Sequence, residues 1–209
     1  EEYIRPARYV ENGFEIVRPA LSDPEYIFFP EIGTLEAFNT DGLRTLATTI
    51  DAPNLKEKTL RYPGHIEKMA VLRELGFFSK EKSIKVEGVK TSPLEMTAQI
   101  LFPNWKLKKG EGDITIFQSI IEGRKDGQKM KYTIDMYDTY CPDTDVISMA
   151  RTTGYTATLA IRMIAKGVYT HKGISPPEYM GKYPECIEFM QKGLKERDVN
   201  WRISEEILA

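Results

Sequence analysis

The feature that most constrains the fold is the eleven-residue run Thr59–Met69, whose sequence is Thr-Leu-Arg-Tyr-Pro-Gly-His-Ile-Glu-Lys-Met. The pattern predicts a strand that ends at Arg61, a turn at Pro63 and Gly64, and a helix from His65 onward. A strand that leads directly into a helix brings the free N–H groups of the first helical turn beside the strand end, where a guanidinium adds a planar pair of donors. The run therefore predicts a site for a small anion such as a carboxylate. An ordinary strand-to-helix connection with a surface arginine is the alternative interpretation.

The composition is that of a folded domain and excludes several classes of partner. The chain has 209 residues, of which 41% are hydrophobic and 29% charged, and its formal net charge is -2. Its longest apolar stretches are far shorter than the roughly 20 residues that span a bilayer. Basic residues are spread evenly among acidic ones, so no positive surface for nucleic acid is expected. We therefore expect a small molecule or another protein as the partner, and neither a membrane nor a nucleic acid.

Cysteine and histidine are too few and too scattered to predict a metal centre. Cys141 and Cys186 are far apart in sequence, and His65 and His171 are the two histidines of the chain. No pair of these residues has the spacing of zinc ligands. We expect two reduced thiols in a cytoplasmic protein, and a surface position for His171.

No nucleotide-binding motif is found in this chain. The sequence Gly110-Glu111-Gly112 lacks the third glycine of a dinucleotide-binding loop, and a strand rather than a helix follows it. The chain starts at Glu1 without a methionine and without a secretory signal. We interpret it as a piece of a longer protein, although removal of an expression tag would leave the same start.

The pattern of apolar residues predicts an α+β fold with a mixed, mostly antiparallel sheet covered by helices, in a single domain over residues 1–209. Strands are predicted at residues 3–9, 14–17, 56–62, 113–122, 128–140 and 199–203. The first two are predicted to form a tight hairpin that turns at Asn12-Gly13, and residues 113–122 and 128–140 an antiparallel hairpin around residues 123–127. Helices are predicted at residues 43–50, 65–75, 92–102, 155–166 and 184–195. Residues 26–29 are read as a buried strand or a buried loop, and residues 33–42 as a polar loop.

Two further side chains each have two interpretations. His65 lies on the first turn of a predicted helix, where the helix dipole lowers the imidazole pKa and favours the neutral ring. It is either a proton carrier or an exposed residue at a helix start. Arg151 stands among small residues that allow close approach of a ligand, and it is either a substrate-binding residue or one half of a packed ion pair.

Three stretches together resemble the family of saccharopine dehydrogenase and lysine 6-dehydrogenase. They are residues 33–46 (GTLEAFNTDGLRTL), 56–78 (KEKTLRYPGHIEKMAVLRELGFF) and 148–167 (SMARTTGYTATLAIRMIAKG). The opening residues 3–8 and the Pro-Pro-Glu at 176–178 are similar as well. The resemblance spans nearly the whole chain, and its central motif is long and ungapped.

The resemblance implies an enzyme whose amino-terminal Rossmann domain is absent from this chain. This chain would be the second domain, which in the family supplies the sheet, much of the homodimer contact and one wall of the amino-acid site. NAD or NADP would be bound mainly by the missing domain, against which residues 175–209 would pack. The isolated chain is then expected to be inactive.

The resemblance also implies roles for individual residues. The family's Thr-Leu-Arg motif, which contacts the substrate's carboxylate end, maps onto Thr59, Leu60 and Arg61. Arg61 would bind the α-carboxylate and Thr59 would add a hydrogen bond. Asn39 and Asp41 would bind the distal amine or imine, with Asp41 and His65 as the catalytic candidates. Asp41 as a helix cap is the alternative.

One departure from the family pattern bears on the substrate. Fungal saccharopine reductases have Asn-Arg-Asp where this chain has Asn39-Thr40-Asp41, so a binder of a second carboxylate is missing. This favours the branch similar to lysine 6-dehydrogenase, although Arg44 is close enough to replace the missing charge. A reductase of another lysine-derived imine is a further possibility, and a non-catalytic dimerisation or small-ligand module of the same fold is the alternative from another class.

Overall fold

The structure is a computed structural model that describes residues 2–208. The chain divides into two compact units at the boundary between Lys106 and Leu107. Each unit has its own sheets and helices, and each is described by itself.

The first unit contains seven strands in three antiparallel sheets and three helices. The strands are β1 (Ala7–Glu11), β2 (Phe14–Arg18), β3 (Glu25–Phe29), β4 (Gly33–Asn39), β5 (Lys58–Arg61), β6 (Ile84–Val86) and β7 (Val89–Thr91). The helices are α1 (Leu46–Thr49), α2 (His65–Glu74) and α3 (Pro93–Trp105). β1 pairs with β2, β6 pairs with β7, and the third sheet has the order β3-β4-β5.

The first hairpin forms because its turn residues tolerate left-handed backbone angles. Asn12 and Gly13 have φ values of 52° and 82°, which are typical of the tight turn that joins two twisted strands. The predicted hairpin is therefore confirmed. Its first strand begins at Ala7 rather than at the predicted Tyr3, and residues 2–4 form a turn instead.

The prediction of a polar loop at residues 33–42 is wrong, because Gly33–Asn39 is the central strand of its sheet. All residues from Leu35 onward in this strand are buried, including the polar Glu36 and Asn39. A strand buried on both faces lacks the simple alternation of polar and apolar residues by which strands are recognised.

Helix α2 lies on one face of this sheet and forms the core of the unit. Phe38 of β4 clusters with Ile66 and Met69 of the helix and with Phe78. Gly64 immediately before the helix has a φ of 83°, which a residue with a side chain rarely adopts. The predicted helix at residues 65–75 is confirmed to within one residue.

The other two helices of this unit differ from expectation in opposite ways. α1 has a single turn, and Thr45 rather than Asp41 precedes it, so Asp41 is not its cap. Arg44, with a φ of 51°, interrupts the predicted helix before that turn. α3 begins as predicted, with Ser92 Oγ accepting a hydrogen bond from the Glu95 amide at 3.1 Å, and continues to Trp105.

The second unit has one three-stranded antiparallel sheet and two main helices. Its elements are β8 (Ile114–Lys125), β9 (Gln128–Thr139), a π-helical turn (Ala150–Gly154), α4 (Tyr155–Ala165), a 3-10 helix (Pro177–Lys182), α5 (Pro184–Lys195) and β10 (Trp201–Ile207). β9 is central, between β10 and β8. The predicted hairpin of β8 and β9 and the helix at residues 184–195 are confirmed.

The two helices of this unit pack closely, with Met163 and Cys186 buried between them and Tyr169. Gly193 of α5 touches Leu159 of α4 and leaves no room for a Cβ atom. α5 and β10 belong to this unit, because β10 pairs with β9 over its whole length. Packing of residues 175–209 on a further domain stays a prediction.

The α+β class is confirmed, with every strand pair of residues 2–208 antiparallel and the strands divided among four sheets. Within the same residues no helix is both long and apolar enough to cross a bilayer. The described part of the chain also contains no group of three or more potential metal ligands. Cys141 and Cys186 are both free thiols.

Candidate functional site

The strand pair β4 and β5 brings two of the three motif residues to one face of the sheet. Arg61 lies opposite Glu36, and Thr59 lies opposite Phe38. Because side chains alternate along a strand, Leu60 lies on the other face. The structure therefore groups Thr59 and Arg61 with the face that α2 covers, and separates Leu60 from them.

Arg61 has the geometry of a carboxylate clamp and already holds a carboxylate of its own chain. Its Nη1 donates to the Leu60 carbonyl oxygen at 2.8 Å, and its Nη2 donates to Glu2 Oε2 at 2.6 Å. The side chains of Arg61 and Glu2 are 36% and 46% exposed, so the pair lies at the surface. The bond to the strand fixes the guanidinium plane and leaves its outer edge for an anion.

The amino terminus of α2 is also occupied by a carboxylate of the chain. The Ile66 amide donates to Glu36 Oε2 at 3.3 Å, and Glu36 is only 7% exposed. The helix end that the sequence predicted as part of the anion site is thus satisfied internally. A second anion at this point would be repelled by the Glu36 carboxylate.

His65 and Tyr3 form a hydrogen-bonded pair near the clamp. His65 Nε2 lies 3.0 Å from the Tyr3 hydroxyl, and the Tyr3 ring stacks on Phe78 with 5.9 Å between centroids. Burial lowers the pKa of His65 below 6.5, and the charge of Arg61 lowers it further. Burial raises the pKa of Tyr3, although Arg61 opposes that rise. Both rings are therefore neutral at pH 7. The predicted direction for His65 is confirmed, but burial rather than the helix dipole is the main cause.

Thr59 belongs to a chain of hydrogen bonds that fixes its donor. Its Oγ1 lies 2.8 Å from Thr40 Oγ1, which itself donates to Glu57 Oε2 at 2.6 Å. Since the single hydroxyl proton of Thr40 goes to Glu57, Thr59 donates to Thr40. The Thr59 hydroxyl therefore keeps only acceptor capacity, which suits an ammonium or amide donor on a ligand.

Asn39 lies on the opposite face from Thr59 and does not join the clamp. It faces Lys58 across the ladder, and its Nδ2 donates to Ser22 Oγ at 3.1 Å and to Asp23 Oδ2 at 2.8 Å. The side chain is fully buried, and its Oδ1 has no hydrogen-bond partner among the described residues. The predicted contact between Asn39 and the ligand's distal amine stays a prediction.

Asp41 is the centre of an arginine cluster rather than a helix cap. Arg8 binds both carboxylate oxygens, at 2.9 Å from Nε and 3.2 Å from Nη2, and Arg44 and Arg5 approach to 3.5 Å and 3.7 Å. The hydrogen bonds from Arg8 are the main reason why the pKa of Asp41 lies below its usual 3.8. A carboxylate held in this way has no proton to give at neutral pH, which opposes the predicted role of Asp41 in proton transfer.

Arg151 lies in the second unit, in a buried ion pair with Asp138. Its Nε is 3.2 Å from each Asp138 oxygen, and its Nη2 donates to the carbonyl oxygens of Arg197 and Asp198 at 3.0 Å and 3.2 Å. Ser148 Oγ also donates to Asp138 at 2.7 Å. The packed ion pair is thus the interpretation that describes its surroundings, and its predicted substrate contact stays a prediction.

Three residues of the Arg61 site were not among the sequence candidates: Glu2, Tyr3 and Glu36. The opening segment at residues 3–8 does carry the family resemblance, which could have drawn attention to Tyr3. Glu36 lies in the stretch for which the sequence pattern predicts a polar loop, so the pattern does not indicate that it belongs to a strand. Its register opposite Arg61 becomes visible only once β4 and β5 are paired.

Comparison with known families accounts for almost the whole chain. Residues 1–199 match the profile of the saccharopine dehydrogenase C-terminal domain. The match takes in most of both compact units, and all the predicted site residues fall within it. The chain therefore belongs to the saccharopine dehydrogenase C-terminal domain family.

Proposed function

We propose that this chain is the amino-acid-binding part of an NAD(P)-dependent oxidoreductase that acts on a carbon–nitrogen bond of lysine or a lysine-derived amino acid. Membership of the family connects it to saccharopine dehydrogenase-like oxidoreductases in general. The lysine-type substrate, the cofactor and the dimer are parts of the proposal.

The observation that carries the proposal is the carboxylate held by Arg61. A guanidinium with one edge fixed by Leu60 O and the other edge at the surface suits the α-carboxylate of an amino acid. Glu2 demonstrates that a carboxylate fits there, since it binds Nη2 at 2.6 Å.

The neighbouring groups match the polar end of such a ligand. Thr59 offers an acceptor on the same face of the sheet, and the Tyr3–His65 pair offers neutral hydrogen-bonding groups near the guanidinium. We propose His65 as the group that exchanges a proton with the ligand, through or beside the Tyr3 hydroxyl. Asp41 enters this proposal only as a fixed negative charge.

The residues of this chain do not fit the pyrophosphate of a dinucleotide. The strand-to-helix connection at Tyr62–Gly64 has a single glycine, and the Glu36 carboxylate occupies the helix amide that would receive a phosphate. We therefore assign NAD or NADP to a separate Rossmann domain, and we assign to this chain the binding of the amino acid only. The cofactor would supply the hydride chemistry.

An exposed apolar surface supports the proposed homodimer. Phe117, Ile121 and Ile203 lie on one face of the β8–β10 sheet, as the register of the strands shows. Each is at least half exposed. Exposed apolar sheet faces of this kind mark protein interaction sites. We expect Ile121→Lys to weaken a dimer in sedimentation equilibrium, while Ile120→Lys, on the opposite face of the same strand, leaves it unchanged.

The amino-acid site is tested by calorimetry with L-lysine and with saccharopine. We expect Arg61→Gln to weaken binding by about tenfold or more, because a charge-assisted bond is lost. Arg162→Gln, an exposed arginine of α4, is the matched control. Binding of lysine alone would favour the lysine 6-dehydrogenase-like branch. Equal binding by wild type and Arg61→Gln would refute the site.

The activity is tested in the full-length protein that carries this chain, by formation of reduced nicotinamide with the same two compounds. Loss of turnover in Arg61→Gln, with the cofactor still bound, is expected. The two free cysteines support the cytoplasm, a reducing compartment, as the proposed location.

A further inference from the structure

The clamp arginine and Glu2 are far apart in the sequence of the first unit, since Glu2 lies at its start and Arg61 just past its middle. Glu2 lies 59 residues before Arg61, and its Oε2 takes the outer donor of the guanidinium. The inner donor, Nη1, is bound to the Leu60 carbonyl oxygen of the strand, which fixes the orientation of the guanidinium. A ligand carboxylate that bound Arg61 would therefore need the position that the Glu2 carboxylate now fills.

The Glu2 carboxylate is held weakly enough to be displaced. Both members of the pair are more than one-third exposed, and exposed ion pairs contribute little to stability. Asp41 offers the contrast, since its carboxylate is 5% exposed and contacts three arginines. Exchange at Arg61 is thus far less costly than exchange at Asp41.

Displacement of Glu2 does not require the rest of the segment to move. The next residue, Tyr3, is anchored by its hydrogen bond to His65 and its stacking on Phe78. Rotation about the Glu2 side chain alone would free the guanidinium. An incoming carboxylate would then lie beside the same Tyr3–His65 pair.

We infer that Glu2 is an intramolecular competitor for the carboxylate site at Arg61, and that a ligand carboxylate binds by displacing it. This inference rests on the proposed function for its choice of amino-acid ligand. It adds that the affinity of the site is set by Glu2 as well as by Arg61. A carboxylate tethered next to its own binding site lowers the apparent affinity of a free one.

The test compares wild type with Glu2→Gln, Arg61→Gln and the control Glu81→Gln, an exposed glutamate of the same unit. Sodium propionate probes the carboxylate site alone, by NMR titration that follows the His65 ring, and L-lysine probes the amino-acid site, by calorimetry. We expect Glu2→Gln to bind both probes about 1.5- to fivefold more tightly than wild type, the range in which exposed pairs fall. Glu81→Gln should match wild type, and Arg61→Gln should bind both probes at least about tenfold more weakly.

Three other results would each overturn something different. Equal or weaker binding by Glu2→Gln, with Arg61 still required, refutes the competition and leaves the proposed site intact. Arg61-dependent binding of propionate without binding of lysine refutes the amino-acid function, while a gain in Glu2→Gln still supports the competition. Absence of Arg61-dependent binding in both wild type and Glu2→Gln refutes the two together. Far-UV circular dichroism of each variant confirms that the fold is retained.

Discussion

Glu36 and Arg61 face each other across the ladder of β4 and β5, but their charged groups bind elsewhere. Glu36 accepts the Ile66 amide at the start of α2, and Arg61 binds Glu2 at the surface. The buried carboxylate is thus used to hold the helix on the sheet, and the guanidinium stays accessible. This division explains how a single strand-to-helix connection can be both a structural junction and a binding site.

His65 should titrate below 6.5, because burial and the nearby Arg61 disfavour its charged form. When the folded pKa lies below the unfolded one, the unfolded state binds the extra proton between the two values. Stability is therefore expected to decrease as the pH falls from 6.5 to the folded pKa of His65. NMR titration of the ring checks the pKa, and urea unfolding across the same range checks the stability.

Arg61→Gln should raise the pKa of His65, since it removes a positive charge next to the ring. Arg162→Gln should leave it unchanged. An unchanged pKa in both variants would show that the guanidinium has no electrostatic effect on His65.

Asp41→Asn should destabilise the first unit by about 1–3 kcal/mol at pH 7, because Arg8 loses one of its two hydrogen bonds and three positive charges lose their countercharge. The pKa of Asp41 is lowered by folding, so its contribution is present above 3.8 and is lost as the pH falls through the folded value. The difference between wild type and variant in urea unfolding should therefore shrink on acidification. A difference that stays constant from pH 7 to pH 3 would contradict this account.

Arg151→Met should cost about 3–5 kcal/mol, because it leaves the Asp138 carboxylate buried without its countercharge. Arg202→Gln, on the edge strand of the same unit, is the matched control. Its ion pair with Asp135 is exposed, with the arginine side chain 66% accessible, and should contribute less than about 1 kcal/mol. Chemical denaturation measures both. Similar losses in the free energy of unfolding for the two variants would show that the buried Arg151 pair contributes no more to stability than the exposed one.

Two glycines of the second unit should respond to alanine in opposite directions. A methyl group at Gly193 would clash with Leu159, so Gly193→Ala should destabilise by about 1–3 kcal/mol. Gly154 has helical angles and open space around its Cα, so Gly154→Ala should stabilise by about 0.4–1 kcal/mol. Thermal unfolding of the two variants is the measurement, and a Gly193→Ala variant as stable as wild type would contradict the close packing of α4 and α5.

Elements with local signals could be predicted from the sequence, and elements defined by tertiary burial could not. The capping residue Ser92 and the turns at Asn12-Gly13 and Asp126-Gly127 carry their own backbone preferences, so α3 and two hairpins were predicted. β4 has no such signal, because neighbouring elements bury both its polar and its apolar residues. The predicted helix at residues 43–50 is longer than the observed α1, because Arg44 adopts a positive φ that its residue type does not indicate.

The same distinction applies to the candidate site. Arg61 and His65 lie on either side of the turn at Pro63-Gly64, which the sequence predicts from its turn residues. In the structure both side chains interact with Tyr3. Asn39 is the last residue of β4, and the alternation of side chains places it on the opposite face, where it binds Asp23. Asp41 follows that strand and binds Arg8 instead. Contacts of Glu2, Tyr3 and Arg8 with residues more than 30 positions away are not visible in any local window.

The place of β10 in its sheet has a consequence for the order in which the second unit is synthesised and folded. β8 and β9 are joined by a two-residue turn and can pair as soon as both have left the ribosome, whereas β10 pairs with β9 only after some 60 further residues. Until Trp201–Ile207 is made, the backbone of β9 is open along one edge, with an apolar face beside it. A chain that stopped at residue 200 would keep every helix of the unit yet present that edge permanently, and it would be drawn into strand exchange and aggregation.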